Sequence, residues 1–164
     1  MEQVTLSKVA EGIGAKRDVS FYLQMARNCE LECKDDEAVT MYRKAAWEGS
    51  AEAQYKLGCY LYNGWGFFKI AKRDRRQAVN WFQKAYEQGH VRATYMLGLC
   101  YRWGTGVPAK LGNISKALSL WREAAAKGSV EAKNAIVAYY TLFFILVVIP
   151  FFVFVLFIIA NITK

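Results

Sequence analysis

The sequence predicts an all-α protein, a short solenoid of antiparallel helix pairs followed by one apolar helix that crosses a membrane. Three observations predict it. A block built around Gly49, Gly89 and Gly128 recurs at spacings of 40 and then 39 residues. The chain of 164 residues contains only 2 Pro and is rich in Ala, Leu, Lys, Glu and Gln, which favours helix. The stretch from Thr141 to Ala160 carries no charge. About 20 apolar residues at ~1.5 Å each span the ~30 Å hydrocarbon core of a bilayer. What precedes it is long enough for one domain with a core and too short for two ordinary ones.

Residues 1–34 hold no clear repeat. Phe21-Tyr22-Leu23-Gln24-Met25-Ala26 is expected to start a degenerate first helix, which packs as a cap on a helix over Ala38–Trp47. Asp35-Asp36-Glu37 is expected to supply that second helix with an N-cap and an acidic first turn. No apolar run follows a basic start at the N-terminus, so no secretory signal is read there.

Residues 35–138 form the repeat region, about two and a half units. With the three glycines in register, Ala38-Val39-Thr40-Met41-Tyr42-Arg43-Lys44-Ala45 aligns with Ala78-Val79-Asn80-Trp81-Phe82-Gln83-Lys84-Ala85. Ala117-Leu118-Ser119-Leu120-Trp121-Arg122-Glu123-Ala124 makes a third such back half. After the glycines, Ala51-Glu52-Ala53-Gln54-Tyr55-Lys56-Leu57-Gly58 aligns with Val91-Arg92-Ala93-Thr94-Tyr95-Met96-Leu97-Gly98, and Val130-Glu131-Ala132 starts a third front half. Gly64-Trp65-Gly66 and Gly104-Thr105-Gly106 recur as turns. The small residues Ala53, Gly58, Ala93 and Gly98 allow close helix approach. Tyr42, Phe82 and Trp121, with Met41, Trp81 and Leu120, are expected to fill the gaps between units. Gly49, Gly89 and Gly128 fall where a left-handed helix cap is wanted. A helix pair of this kind cannot bury its own apolar face, so neighbours stack.

These residues resemble the Sel1-like repeat family, a relative of the tetratricopeptide repeat, over about residues 36–138. Ala51, Ala53, Gln54, Leu57, Gly58, Gly64 and Gly66 match the front of one copy. Ala93, Leu97, Gly98, Tyr101, Gly104, Gly106 and Val107 match the next. Ala78, Trp81, Phe82, Lys84, Ala85 and Gly89 match one back half, and Lys116, Ala117, Trp121, Ala124, Ala125 and Gly128 the other. Leu61 departs from the family's usual Tyr, and residues 67–77 and 107–116 are longer links than usual. The resemblance implies an adaptor that holds protein partners on a concave surface lined by the front helices.

On those helices, Glu52, Tyr55, Lys56, Cys59, Tyr62 and Asn63 follow 3-and-4 spacing and form one stripe. Arg92, Tyr95, Met96, Leu99, Arg102 and Trp103 are their counterparts. Mixed aromatic, Arg and Met surfaces suit protein interfaces. Glu52, Tyr55, Lys56, Tyr62, Arg92, Tyr95, Arg102 and Trp103 are therefore the candidate partner-binding residues, although Tyr55, Tyr95 and Leu99 suit an inter-repeat core equally well.

Lys+Arg is 22 against 14 Asp+Glu. A basic loop is the other candidate: Lys69, Lys72, Arg73, Arg75 and Arg76 suit anionic lipid headgroups or an acidic partner, or are simply solvated. No recognition motif accompanies the charge, which disfavours nucleic acid. No catalytic triad, phosphate loop or metal set is present in the sequence, so no enzyme, cofactor or metal is expected, and His90 reads as a helix-start or surface residue. Cys29 and Cys33, four apart, would share one helix face. With Cys59 and Cys100 they are expected to be reduced in a cytosolic head.

Residues 139–160 are the expected transmembrane helix and 161–164 its short tail. Tyr139 and Tyr140 fit an interfacial belt. Pro150 sits mid-span, where it would kink the helix. Arg122, Lys127 and Lys133 on the head side against Lys164 beyond agree with a cytosolic head. The front helix that starts at Val130 runs without Gly or Pro into the span, so one long helix would both close the solenoid and anchor it. The alternative is a break near Tyr140-Thr141. The expectation is a non-enzymatic, tail-anchored adaptor. A second reading is an immunity- or inhibitor-type protein that masks a toxin or enzyme at the membrane. A third, self-assembly through the Phe-rich span into a channel, lacks a polar residue to line a pore.

Overall fold

The computed structural model describes residues 18–64, 74–108 and 112–162. Helices α1 (Val19–Leu31), α2 (Asp35–Trp47), α3 (Ala51–Asn63), α4 (Arg75–Glu87), α5 (Val91–Trp103), α6 (Ile114–Ala126) and α7 (Val130–Phe143) follow one another. Each packs against its predecessor, so α1/α2, α3/α4 and α5/α6 are antiparallel pairs with α7 stacked on the last. Among the described residues no strand occurs.

The turn between consecutive pairs is the same local structure three times. The back helix ends, and glycine follows in the left-handed region at Gly49 (φ 98°), Gly89 (φ 81°) and Gly128 (φ 94°). At the first, the Gly49 N–H donates to the Ala46 carbonyl and the Ser50 N–H to that of Ala45, a Schellman arrangement that satisfies orphan carbonyls. The next residue caps the following helix. Ser50 and Ser129 hydroxyls accept from Ala53 and Ala132 N–H, at 3.2 and 3.1 Å.

Close approach within the α3/α4 and α5/α6 pairs depends on glycine. A methyl at Gly58 would stand 2.6 Å from the Phe82 ring, and one at Gly98 would run into the Trp121 indole. Phe82 is fully buried and Trp121 is 1% exposed, and the Trp121 indole N–H donates to the Tyr95 carbonyl at 3.2 Å. These two rings therefore fill the space inside their own helix pair, not the gap between units that the sequence suggested. Tyr42 and Trp81 do lie between units as expected: Trp81 meets Trp47 edge-on at 5.4 Å, and Tyr42 lies 6.1 Å from Tyr60.

Two local features differ from the sequence expectation. The helix over 35–47 has Lys34 at its N-cap position, and Asp35, Asp36 and Glu37 all lie in its first turn, where they face the positive end of the helix dipole. Cys29 and Cys33 do not share a helix face. α1 ends at Leu31, and Cys33 lies beyond it in the left-handed region at φ 57°.

α7 does not break at Tyr140-Thr141. It continues through a π-helical turn, Phe144–Val148, into α8 (Ile149–Ile162). The π turn ends immediately before Ile149-Pro150. Proline has no N–H to give the carbonyl four residues back, and its ring crowds that group. Widening the preceding turn relieves both problems without unwinding the helix. Beyond Tyr140 the described apolar side chains are largely exposed, with Leu142 49%, Leu146 63% and Phe151 66% exposed. The helix Val130–Leu156 is long and apolar enough to cross a membrane.

Candidate protein-binding face

The front helices divide their residues by face. On α3, Ala53, Gln54, Leu57, Gly58, Tyr60 and Leu61 are buried, while Glu52, Tyr55, Lys56, Cys59 and Tyr62 are half-buried and Asn63 is exposed. On α5, Ala93, Thr94, Leu97, Gly98 and Cys100 are buried. Tyr95, Met96, Leu99 and Arg102 are half-buried, and Arg92 and Trp103 exposed. The stripe read from spacing is thus the rim of the solenoid core, with aromatic bodies packed inward and polar ends outward.

A cavity of about 220 Å³ opens on this face, lined by Glu30, Tyr55, Lys56, Cys59, Tyr60, Asn63 and Arg92. It brings together three of the partner-binding candidates, Tyr55, Lys56 and Arg92. Tyr55 is held from behind, stacked on the His90 ring at 4.8 Å and 6.2 Å from Phe82. Lys56 pairs with Glu30 at 3.1 Å to both carboxylate oxygens, and the Tyr60 hydroxyl donates to the same carboxylate at 3.1 Å. Lys56 is therefore partly neutralised. Arg92 has no carboxylate within ion-pair distance among the described residues, which leaves its guanidinium as the open donor at this site.

The other candidates stand apart from the cavity. Glu52 sits beside it, its carboxylate 3.0 Å from His90 Nε2. The His90 Nδ1 accepts the Ala93 N–H at 3.2 Å. Together these contacts select the tautomer with hydrogen on Nε2. His90 thus does for α5 what Ser50 and Ser129 do for α3 and α7, and its hydrogen bond holds the Glu52 carboxyl below the usual range. Tyr62 lies under the Arg75 guanidinium at 5.7 Å, Tyr95 beside Trp121 at 6.4 Å, and Arg102 over Trp103 at 4.9 Å. In the basic loop, Arg75 and Arg76 open α4. Lys69, Lys72 and Arg73 lie outside the described residues.

Glu30 and Tyr60 join this site without a sequence signature of their own. Glu30 lies on α1, which shows no repeat signature, and Tyr60 is mostly core. A sequence signal for Glu30 would have been its position in the last turn of an amphipathic segment, too weak to single it out. The Cys59 thiol is pushed up, first by burial, as is that of Cys100, to about 11. Both are protonated at neutral pH. Among the described residues, no group of His, Cys, Asp or Glu could hold a metal ion.

A stack of helix pairs with a polar and aromatic front face defines an α-solenoid interaction scaffold. The chain belongs to the Sel1 repeat family, whose repeat it matches at residues 51–90 and 91–129. The crystal structure of a Sel1 repeat protein from Oxalobacter formigenes superposes with a TM-score of 0.61 and 30% identity, covering 72% of this chain and 86% of that one. The ERAD-associated E3 ubiquitin-protein ligase component HRD3A of Arabidopsis thaliana is 35% identical over 73 residues, 44% of this chain and 10% of the relative. DAP3-binding cell death enhancer 1 of Rattus norvegicus is 33% identical over 97 residues, 59% of this chain and 17% of the relative. The chain thus spans only a small part of these curated relatives. Sel1 repeats are protein-interaction scaffolds, typically without catalytic activity of their own.

Proposed function

We propose that this chain is a membrane-anchored, non-catalytic adaptor that holds a protein partner on its front-helix face at the cytosolic membrane surface. The observation that carries this reading is the cavity beside Tyr55 and Lys56 with the Arg92 guanidinium open at its edge. Exposed arginine next to half-buried aromatics is the composition of interface hot spots. An acidic side chain or a free carbonyl of the partner is the group such a guanidinium takes. The α7–α8 helix supports the anchor, since its exposed apolar side chains need lipid or protein cover. The name of the Arabidopsis relative, a ubiquitin-ligase component, is consistent with a scaffold that acts through what it assembles.

The test is co-purification of the full-length protein from native membranes in mild detergent, read by mass spectrometry beside an Arg92→Glu variant. A partner that is retained by the unaltered protein and lost by the variant is the expected result. A partner held equally by both would remove the front face from the proposal.

A further inference from the structure

α5 and α7 start level with each other. Each begins directly after a left-handed glycine and its capping residue, His90 for α5 and Ser129 for α7. They also pack on the same cluster, with Tyr95 and Leu99 of α5 and Ala135 and Ile136 of α7 against the buried Trp121, Ala124 and Ala132. The 39-residue offset between Gly89 and Gly128 therefore places Tyr101 level with Tyr140, Arg102 with Thr141 and Trp103 with Leu142. At ~1.5 Å per residue both helices rise about 18 Å over this distance. α5 thus ends at the height where α7 enters its uncharged run. The contact of α7 with the head nearest that point is the hydrogen bond from Arg122 to the Tyr140 hydroxyl, at 2.8 Å.

The back helices run the other way, so their first residues lie at this same end. Among the described residues, the exposed apolar and basic groups on the helices there include Trp103 (62%), Ile114 (44%), Arg76 and Lys116, with Arg102 and Arg75 half-buried. From α4 onward, the carboxylate at this end among the described residues is Asp74, and it is occupied in accepting the Gln77 N–H at 2.9 Å. In the first pair, the first turn of α2 presents Asp35, Asp36 and Glu37 instead.

We propose that the end of the solenoid bearing Arg76, Arg102, Trp103, Ile114 and Lys116 is a docking surface for anionic phospholipid headgroups. The proposal rests on reading α7–α8 as a membrane span. Guanidinium and ammonium groups pair with lipid phosphates and carboxylates, and an exposed indole beside an apolar side chain suits the headgroup layer. The acidic turn of α2 is repelled by the same surface, so α4–α7 rest on the bilayer while the first pair tips away. The front face then stands upright, and its cavity opens sideways toward a partner lying alongside the membrane.

The test uses the full-length protein with Cys33→Ser and Cys59→Ser, reconstituted in phosphatidylcholine vesicles with and without phosphatidylserine. A fluorophore is attached at Ser115→Cys, at the proposed surface, or at Ala126→Cys, at the far end of the same helix. Quenching by lipids that carry a spin label in the headgroup reports depth. With phosphatidylserine, the Ser115→Cys probe should be quenched several-fold more than the Ala126→Cys probe. Adding Arg76→Glu and Lys116→Glu should remove most of that difference. Equal quenching at both ends, or a difference that survives the charge reversals, overturns the proposal. Flotation of the vesicles through urea separates the two readings. A chain that floats with equal probes refutes the docking surface alone, whereas one that stays behind refutes the span and the docking surface with it.

Discussion

Replacing Gly98 by Ala sets two effects of opposite sign against each other. In a helix interior Ala is favoured over Gly by about 1 kcal/mol. At Gly98, however, the new methyl would run into Nε1 and Cδ1 of Trp121. That ring is 1% exposed and is fixed by its 3.2 Å hydrogen bond to the Tyr95 carbonyl. Either the helix axes part or the ring leaves its hydrogen bond. Overpacking costs about 1–3 kcal/mol, and a lost hydrogen bond adds about 1 kcal/mol. Set against the gain in propensity, the net is a destabilisation of about 1–3 kcal/mol. For a head of this size that lowers the melting temperature by roughly 3–12 °C. Thermal unfolding of the full-length protein in detergent micelles, followed by near-ultraviolet circular dichroism and Trp fluorescence, measures it. A midpoint at or above that of the unaltered protein would refute the close-approach reasoning, because helix propensity alone gives that sign. Gly58→Ala meets the Phe82 ring at 2.6 Å and should destabilise less, since Phe82 has no polar bond to lose.

Three further outcomes are expected. His90→Ser keeps a cap on α5 of the kind Ser50 provides on α3, whereas His90→Ala leaves none. The alanine variant should be less stable by about 1 kcal/mol, and equal urea midpoints would show that the cap contributes nothing. The Glu52 carboxyl is held low in the fold by the His90 hydrogen bond. The unfolded chain therefore takes up its proton at higher pH, and this contribution to stability is lost as the pH falls below about 4.5. Glu52→Gln should flatten the acid limb of a plot of urea midpoint against pH, and an unchanged limb would exclude the pair from that role. Burial pushes the phenols of Tyr42, Tyr55 and Tyr60 well above their ordinary value of 10.0. The unfolded chain ionises first, so stability falls as the pH rises past 10. Phenolate absorbance from these three should appear only together with loss of the near-ultraviolet signal, and their ionisation in an intact fold would contradict the burial argument.

The repeat was legible because its requirements are local. A left-handed backbone wants Gly at Gly49, Gly89 and Gly128, a tight helix contact wants Gly at Gly58 and Gly98, and both demands recur with the unit. The apolar run was legible for the same kind of reason, since a length of uncharged sequence is read residue by residue. Less of the candidate site was legible. Spacing gave the front-helix stripe, but it could not say that Glu30 would reach across from α1 and take up Lys56 while Arg92 stayed open.

Sequence alone therefore determined the fold class, the repeat register and the length of the apolar helix, because each depends on backbone geometry and on side chains a few positions apart. Tertiary structure decided that Phe82 and Trp121 pack within their own pairs, that His90 serves as a cap, and that the turn before Pro150 widens without breaking the helix. It also decided which charges are paired and which are open. Those outcomes depend on side chains from different helices meeting at packing distance, and pairwise meetings of that kind leave no period in the chain to read.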